Sequence, residues 1–145
     1  MGQWMKNVKL HLKTTIDDKG DIETHNVITS GLFSYRQSMD VLTFSETTNE
    51  EKTIKNLLTI SPYKVSLKRS GAVSMHQQFI IHETHECMYK HPYGFMYMET
   101  YTNSISYQTL RSNDFGRLLI DYTVSLNQQA NRKHQLLLTF YEEDD

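Results

Sequence analysis

The side chains best equipped for chemistry crowd into residues 69–102, RSGAVSMHQQFIIHETHECMYKHPYGFMYMETYT, where His76, His82, His85 and His91 stand near Cys87, Glu83 and Glu86. Imidazole and thiolate bind zinc when held at about 2.0–2.3 Å. On a strand, His85 and Cys87 would share a face with Glu83, while His82 would fall on the other. His85 and Cys87 are therefore the only metal candidates, and weak ones, because the chain has neither an HExxH helix nor a second Cys/His pair at finger-like spacing. The segment reads better as a solvated, histidine-rich connection between strands. No metal and no other cofactor is expected.

Arg69 poses a sharper question. Tyr63, Val65, Leu67 and Arg69 share a parity whose alternates are Lys64, Ser66 and Lys68, which places the guanidinium on the apolar face of a strand. A guanidinium cannot shed its charge, so an inward one must find a carboxylate or several acceptors, in the protein or on a ligand. Glu46 and Glu99 are the available carboxylates. The structural reading is an internal Arg–Glu pair or an arginine at a barrel mouth. The functional one is an anionic head group held by Arg69, its apolar body lying against Met75, Phe79, Tyr93 and Tyr97. The stripe of Tyr89, Tyr93, Met96, Tyr97, Met98 and Tyr101 fits either core plus a dimer contact or the lining of a pocket, since methionine adapts its shape and tyrosine carries a polar tip.

Signatures of catalysis are lacking. Ser70 precedes Gly71, but there is no GxSxG elbow, and neither GxxxxGK[ST] nor GxGxxG occurs, so nucleotide hydrolysis and dinucleotide chemistry have no glycine-rich phosphate cradle. The paired carboxylates Glu50–Glu51 and Glu142–Glu143 fall in a turn and in the tail. The expectation is a protein that binds rather than converts.

These residues must be positioned by strands. Val8, Leu10, Leu12, Thr14 and Ile16 alternate with Lys9, His11, Lys13 and Thr15, the pattern of a half-buried strand. Residues 17–21, DDKGD, read as a hairpin turn with Gly20 at a position of easy positive φ. A second strand runs from Ile22 to about Ile28, and Gly31 then suggests a bulge or barrel corner. Further strands are expected over 32–37, 41–47 and 53–60, the last with Leu57 leaving a helical alternative open. Pro62 breaks the chain before the strand that carries Arg69. Gly71 turns it, and Val73, Met75, Gln77, Phe79 and Ile81 continue. FMYMETYT is apolar on both parities, as for a strand covered on both faces or facing a partner. Strands over 105–110, 117–126 and 134–141 follow, with a solvated acidic tail. About ten strands at 8–12-residue spacing argue for an all-β antiparallel meander, closed as a barrel or folded as a sandwich. A barrel removes the edges such a sheet must otherwise protect.

Composition sets outer bounds. At 145 residues the chain fits a single domain, its core spanning about residues 8–141, and 15 basic against 17 acidic side chains give a formal charge of -2. No clustered basic excess invites nucleic acid. Cys87 is the one cysteine, which excludes an intrachain disulfide and fits a reducing compartment. No run approaches the roughly 20 apolar residues of a membrane helix, and neither a signal peptide nor a myristoylation pattern is read at the N-terminus. A cytoplasmic protein without a membrane partner is expected.

The order of VKLHLKTTI, FSETTNEEKT, SLKRSGAVSM and HPYGFMYMETYT resembles the YwiB-like proteins, a bacterial family carrying a domain of unknown function. The resemblance covers residues 8–140. It implies a lipocalin-like (calycin-like) β-barrel of about 8–10 strands and brings no established activity. The family's recurring positions fall on Glu46, Thr53, Arg69, Gly71, Pro92, Tyr93, Gly94 and Thr102, and the chain departs from the pattern where FMYM replaces a less aromatic run. Two functions are compatible with it: capture of a small amphipathic or anionic molecule inside the barrel, or a homodimer or protein-interaction module whose interior is filled by side chains.

Overall fold

The computed structural model describes residues 4–61 and 63–143; Pro62, read above as a break, lies outside them. The chain forms strands β1 (Trp4–Asp18), β2 (Asp21–Arg36), β3 (Met39–Thr47), β4 (Thr53–Ile60), β5 (Val65–Gly71), β6 (Met75–Phe79), β7 (Thr84–His91), β8 (Gly94–Gln108), β9 (Gly116–Leu126) and β10 (Arg132–Glu142). The single helical element among the described residues is a 3-10 turn, Leu110–Ser112, and no helix there is long and apolar enough to cross a membrane. The strands form one antiparallel sheet in the order β6-β5-β4-β3-β2-β1-β10-β9-β8-β7. The sheet curls until its outer strands meet. There Ser74 and Lys90 exchange backbone hydrogen bonds of 2.9 and 2.8 Å, and Ile81 touches Thr102, so the barrel is nearly closed and its β6–β7 seam carries no continuous ladder.

Four expectations need correction. The segments 22–28 and 32–37 are one strand, because β2 runs through Gly31 without losing its partner in β1. Gly31 acts by its lack of a side chain: a Cβ there would lie 2.6 Å from the Thr43 carbonyl oxygen and 3.0 Å from Leu10 Cδ2. Pairing of β2 with β3 starts at this residue, so it marks a corner inside a continuous strand. Residues 95–102 and 105–110 likewise belong to one strand, β8, irregular only between Thr102 and Ser104. The histidine-rich segment is no solvated connection. Residues 84–91 form β7, paired with β8 from Thr84↔Tyr101 to His91↔Gly94. Residues 53–60 resolve as strand, with Leu57 on the outer face. Tyr63 precedes β5 and is 85% exposed rather than inward.

The interior is filled over one half of the barrel and hollow in the other. Phe33, Phe79 and Phe140 have no exposed surface and pack with Val8, Leu10, Leu42, Ile120 and Leu138. Phe33 and Phe140 stack at 5.3 Å between ring centres, and Phe79 meets Tyr122 edge-on at 4.9 Å. Each such side chain stabilises the fold by about 1.5–3 kcal/mol. Leu110, buried on the 3-10 turn, joins this core at the filled end.

Candidate functional site

The hollow half opens at the ends of β3, β5, β7 and β9, and on the first three of these the last inward positions are polar. Glu46 closes the inward series Leu42, Phe44, Glu46 on β3. Asn56 stands on β4 and Arg69 on β5 as direct cross-strand neighbours, and Met75 faces Arg69 from β6. Arg69 Nη2 donates to Glu46 Oε2 at 3.0 Å, and Asn56 Nδ2 donates to the same oxygen at 2.8 Å. The side chains of Arg69 and Glu46 keep 21% and 19% of their surface. The pair is thus screened from bulk water without being sealed from it. Among the described residues the guanidinium has no second acceptor, so its other N–H groups remain available.

Around this polar point half of the lining residues are aliphatic. A cavity of about 670 Å³ is lined by Leu12, Ile16, Val27, Leu67, Met96 and Leu126 together with the Glu46–Asn56–Arg69 cluster. Met75, Met98 and Gln77 lie deeper; Gln77 Nε2 donates to Thr100 Oγ1 at 2.9 Å and ties β6 to β8. His25, His91, His134 and Tyr89 complete the wall. Burial, with the nearby Arg132 charge, holds the His134 imidazole down at about 4, so at neutral pH it is an uncharged ring, 5.2 Å from that of Tyr122. Burial also pushes the Tyr122 hydroxyl well above its ordinary range.

The residues singled out in the sequence separate into two groups. Arg69, Glu46 and Met75 meet at the cavity, and Phe79 lies in the packed core below it. Glu99, Tyr93 and Tyr97 are elsewhere. Glu99 stands opposite Glu86 in the β7–β8 ladder on the outer face, whereas Arg69 lines the interior. There Tyr97 is bonded to Glu86, and that bond, ahead of the other influences, pushes its hydroxyl up to about 12. Tyr93 is 82% exposed and donates to Glu50 Oε1 at 2.9 Å, linking the β7–β8 turn to the β3–β4 turn. His85 and Cys87 do point inward on β7, but His85 pairs with Glu83 at 3.1 Å, and burial raises the Cys87 thiol. Among the described residues no group of three or more His, Cys, Asp or Glu side chains could hold a metal ion.

A second polar cluster escaped the sequence reading. Asp40, 3% exposed, accepts from Tyr107 Oη at 2.7 Å, Thr109 Oγ1 at 2.8 Å and Arg111 Nε at 2.7 Å. The Arg111 guanidinium lies 3.9 Å over the Tyr35 ring. This network latches the 3-10 turn across the filled end. Its signal was available: Asp40 shares the inward parity of Leu42, Phe44 and Glu46.

The model of a domain of unknown function, DUF1934, matches residues 10–138. The uncharacterized β-barrel protein YwiB of Bacillus subtilis strain 168 is 29% identical over 133 residues, 92% of each chain. The crystal structure of the YwiB protein from Bacillus subtilis superposes with a TM-score of 0.85 at 26% identity, covering 97% of this chain and 94% of that one.

Proposed function

The chain belongs to the DUF1934 family, and on that premise we propose that it is a binding protein, a lipocalin-like container that takes a small amphipathic molecule into the hollow half of its barrel. The observation that carries this reading is the Arg69–Glu46 pair in a cavity of about 670 Å³ whose lining also includes ten leucine, isoleucine, valine and methionine side chains. Arg69 is committed to Glu46 through one nitrogen, and its remaining N–H groups suit an anionic or acceptor-bearing head. Leu12, Ile16, Val27 and Leu126 suit the apolar body. A lone Cys87 fits a reducing compartment, and we place the protein in the bacterial cytoplasm. Fluorescence titration with fatty acids of graded length tests the proposal. Saturable one-to-one binding, weakened at least about tenfold by Arg69→Ala as the loss of a charge-assisted contact requires, supports it; unchanged binding in that variant overturns it.

One observation favours a second reading, a homodimer or interaction module. Met88, Phe95 and Tyr101 on β7 and β8 are 46%, 69% and 38% exposed, and apolar groups gathered on one face mark contact surfaces. Native mass spectrometry after gentle purification separates the two: retained small-molecule mass supports the container, a bare dimer the module.

A further inference from the structure

The filled end of the barrel carries a concavity of its own, of about 490 Å³, lined by Tyr35, Ser38, Asp40, Tyr63, Lys64 and Arg111 among others. We propose that it is a second binding site, for a small phosphate ester, built on Arg111 and Lys64. It stands independently of the amphiphile reading, since it occupies the opposite ends of the same strands.

Several polar groups of this hollow are already occupied, and others are not. Both oxygens of the Asp40 carboxylate are taken, Oδ1 by Arg111 Nε and Oδ2 by Tyr107 and Thr109. Asp40 therefore orients Arg111 and matches its charge. It does not consume the guanidinium, whose terminal nitrogens bond no protein acceptor among the described residues. Stacking on Tyr35 at 3.9 Å fixes the plane of the fork. Lys64 lines the same hollow and has no ion-pair partner among the described residues. Its turn is pinned from behind, because the Lys64 carbonyl accepts from Ser61 N at 2.9 Å and Ser61 Oγ at 3.0 Å. The hydroxyls of Ser38, Tyr35 and Tyr63 likewise bond nothing among the described residues.

The hollow is thus rich in donors, while its one carboxylate already accepts three hydrogen bonds from within the protein. A carboxylate ligand offers two oxygens to such a set; a phosphoryl group offers more, and the planar fork with a neighbouring ammonium is the pairing that suits it. The Tyr35 and Tyr63 rings supply apolar surface for the rest of an ester. The open cavity differs in kind: it holds no lysine and no second arginine, so the Arg69 charge is matched by Glu46, whereas Lys64 adds a cation beyond the Arg111–Asp40 pair.

Amide chemical-shift titration of the full chain with phenyl phosphate, with inorganic phosphate alongside, tests the proposal. Saturable shifts at Ser38, Tyr63, Lys64 and Arg111 are expected, with affinity falling at least about fivefold in Lys64→Gln as one charge-assisted contact is lost. Arg111→Lys keeps a cation beside Asp40 but loses the fork and should weaken binding further; the Lys64→Gln comparison stands alone if that variant does not fold. Shifts scattered over surface lysines, a titration that does not saturate, or unchanged affinity in Lys64→Gln would each overturn it.

Discussion

Arg69 and Glu46 meet at 3.0 Å across an intervening strand: β4 lies between their own strands β5 and β3 and adds Asn56 to the same carboxylate oxygen at 2.8 Å. The three side chains span adjacent strands where the core ends and the cavity begins. Removing one partner leaves the other charge half-desolvated. Arg69→Met or Glu46→Met alone should cost about 1–3 kcal/mol, less than for a sealed pair because about a fifth of each side chain meets water. The double variant, which leaves no orphaned charge, should recover most of that loss. Urea unfolding of the cycle reads it directly; additive single losses would mean that the pair is not coupled.

At the filled end the Asp40 latch should weigh more. Its carboxylate is 2% exposed and receives an arginine with two hydroxyls behind it. Asp40→Asn keeps the shape, removes the charge and presents a donor where acceptors are needed. A loss of about 2–4 kcal/mol is expected. Tyr107→Phe, which deletes one donor, should cost about 1 kcal/mol. Hydrogen exchange at Arg111 adds a local readout, since its amide donates to Thr109 Oγ1, which Asp40 holds, and freeing the 3-10 turn should open that amide before the barrel unfolds. An Arg111 amide as protected in Asp40→Asn as in the parent chain would show that the turn is held by packing alone.

Much of the barrel is legible in alternation. Val8 to Ile16 and residues 117–126 read as strands because one parity is apolar and the other polar, and that parity also turns Arg69 inward. Alternation is uninformative where both parities are polar. On β7 the inward His85, Cys87, Tyr89 and His91 differ little in polarity from the outward Glu86 and Lys90, so the strand passed for a loop. Long strands escape when a local irregularity mimics a boundary, as at Gly31 and near Asn103. Tyr93 and Tyr97 are aromatic yet stand outside the site, because Tyr93 lies in the β7–β8 turn and Tyr97 alternates with the buried Met98. The Asp40 network depends on contacts 67 to 71 residues apart in the chain, which no local pattern registers.

Gly31→Ala should be more damaging than its size suggests. Its new Cβ would meet the Thr43 carbonyl at 2.6 Å and Leu10 Cδ2 at 3.0 Å. Both neighbours are held, one as strand backbone and the other in the core. Relief therefore requires β2 to move away from β3 where their ladder begins, at a cost of about 1–3 kcal/mol for overpacking. Thermal unfolding of Gly31→Ala beside Ile28→Ala, a substitution at an exposed position of the same strand, separates crowding from a general intolerance of substitution. Equal melting of the two would remove the corner role given to Gly31.

The neutral imidazole of His134 makes stability depend on pH. In the unfolded chain a histidine titrates near 6.5; in the barrel, burial and the Arg132 charge hold the ring down at about 4. Between those values the unfolded state binds the proton and the folded state excludes it. Stability is then fully present above about pH 6.5 and drains away as pH falls toward 4. Because the ring is part-exposed at the cavity wall, solvent screening reduces the effect to about 1–2 kcal/mol over that window. Carboxylates titrate in the same range, so the difference between the parent chain and His134→Gln is the quantity to measure. Urea midpoints should converge as pH is lowered from about 7 to 5, the variant losing less. An NMR titration placing the His134 ring near 6.5 in the folded chain would remove the basis of the effect.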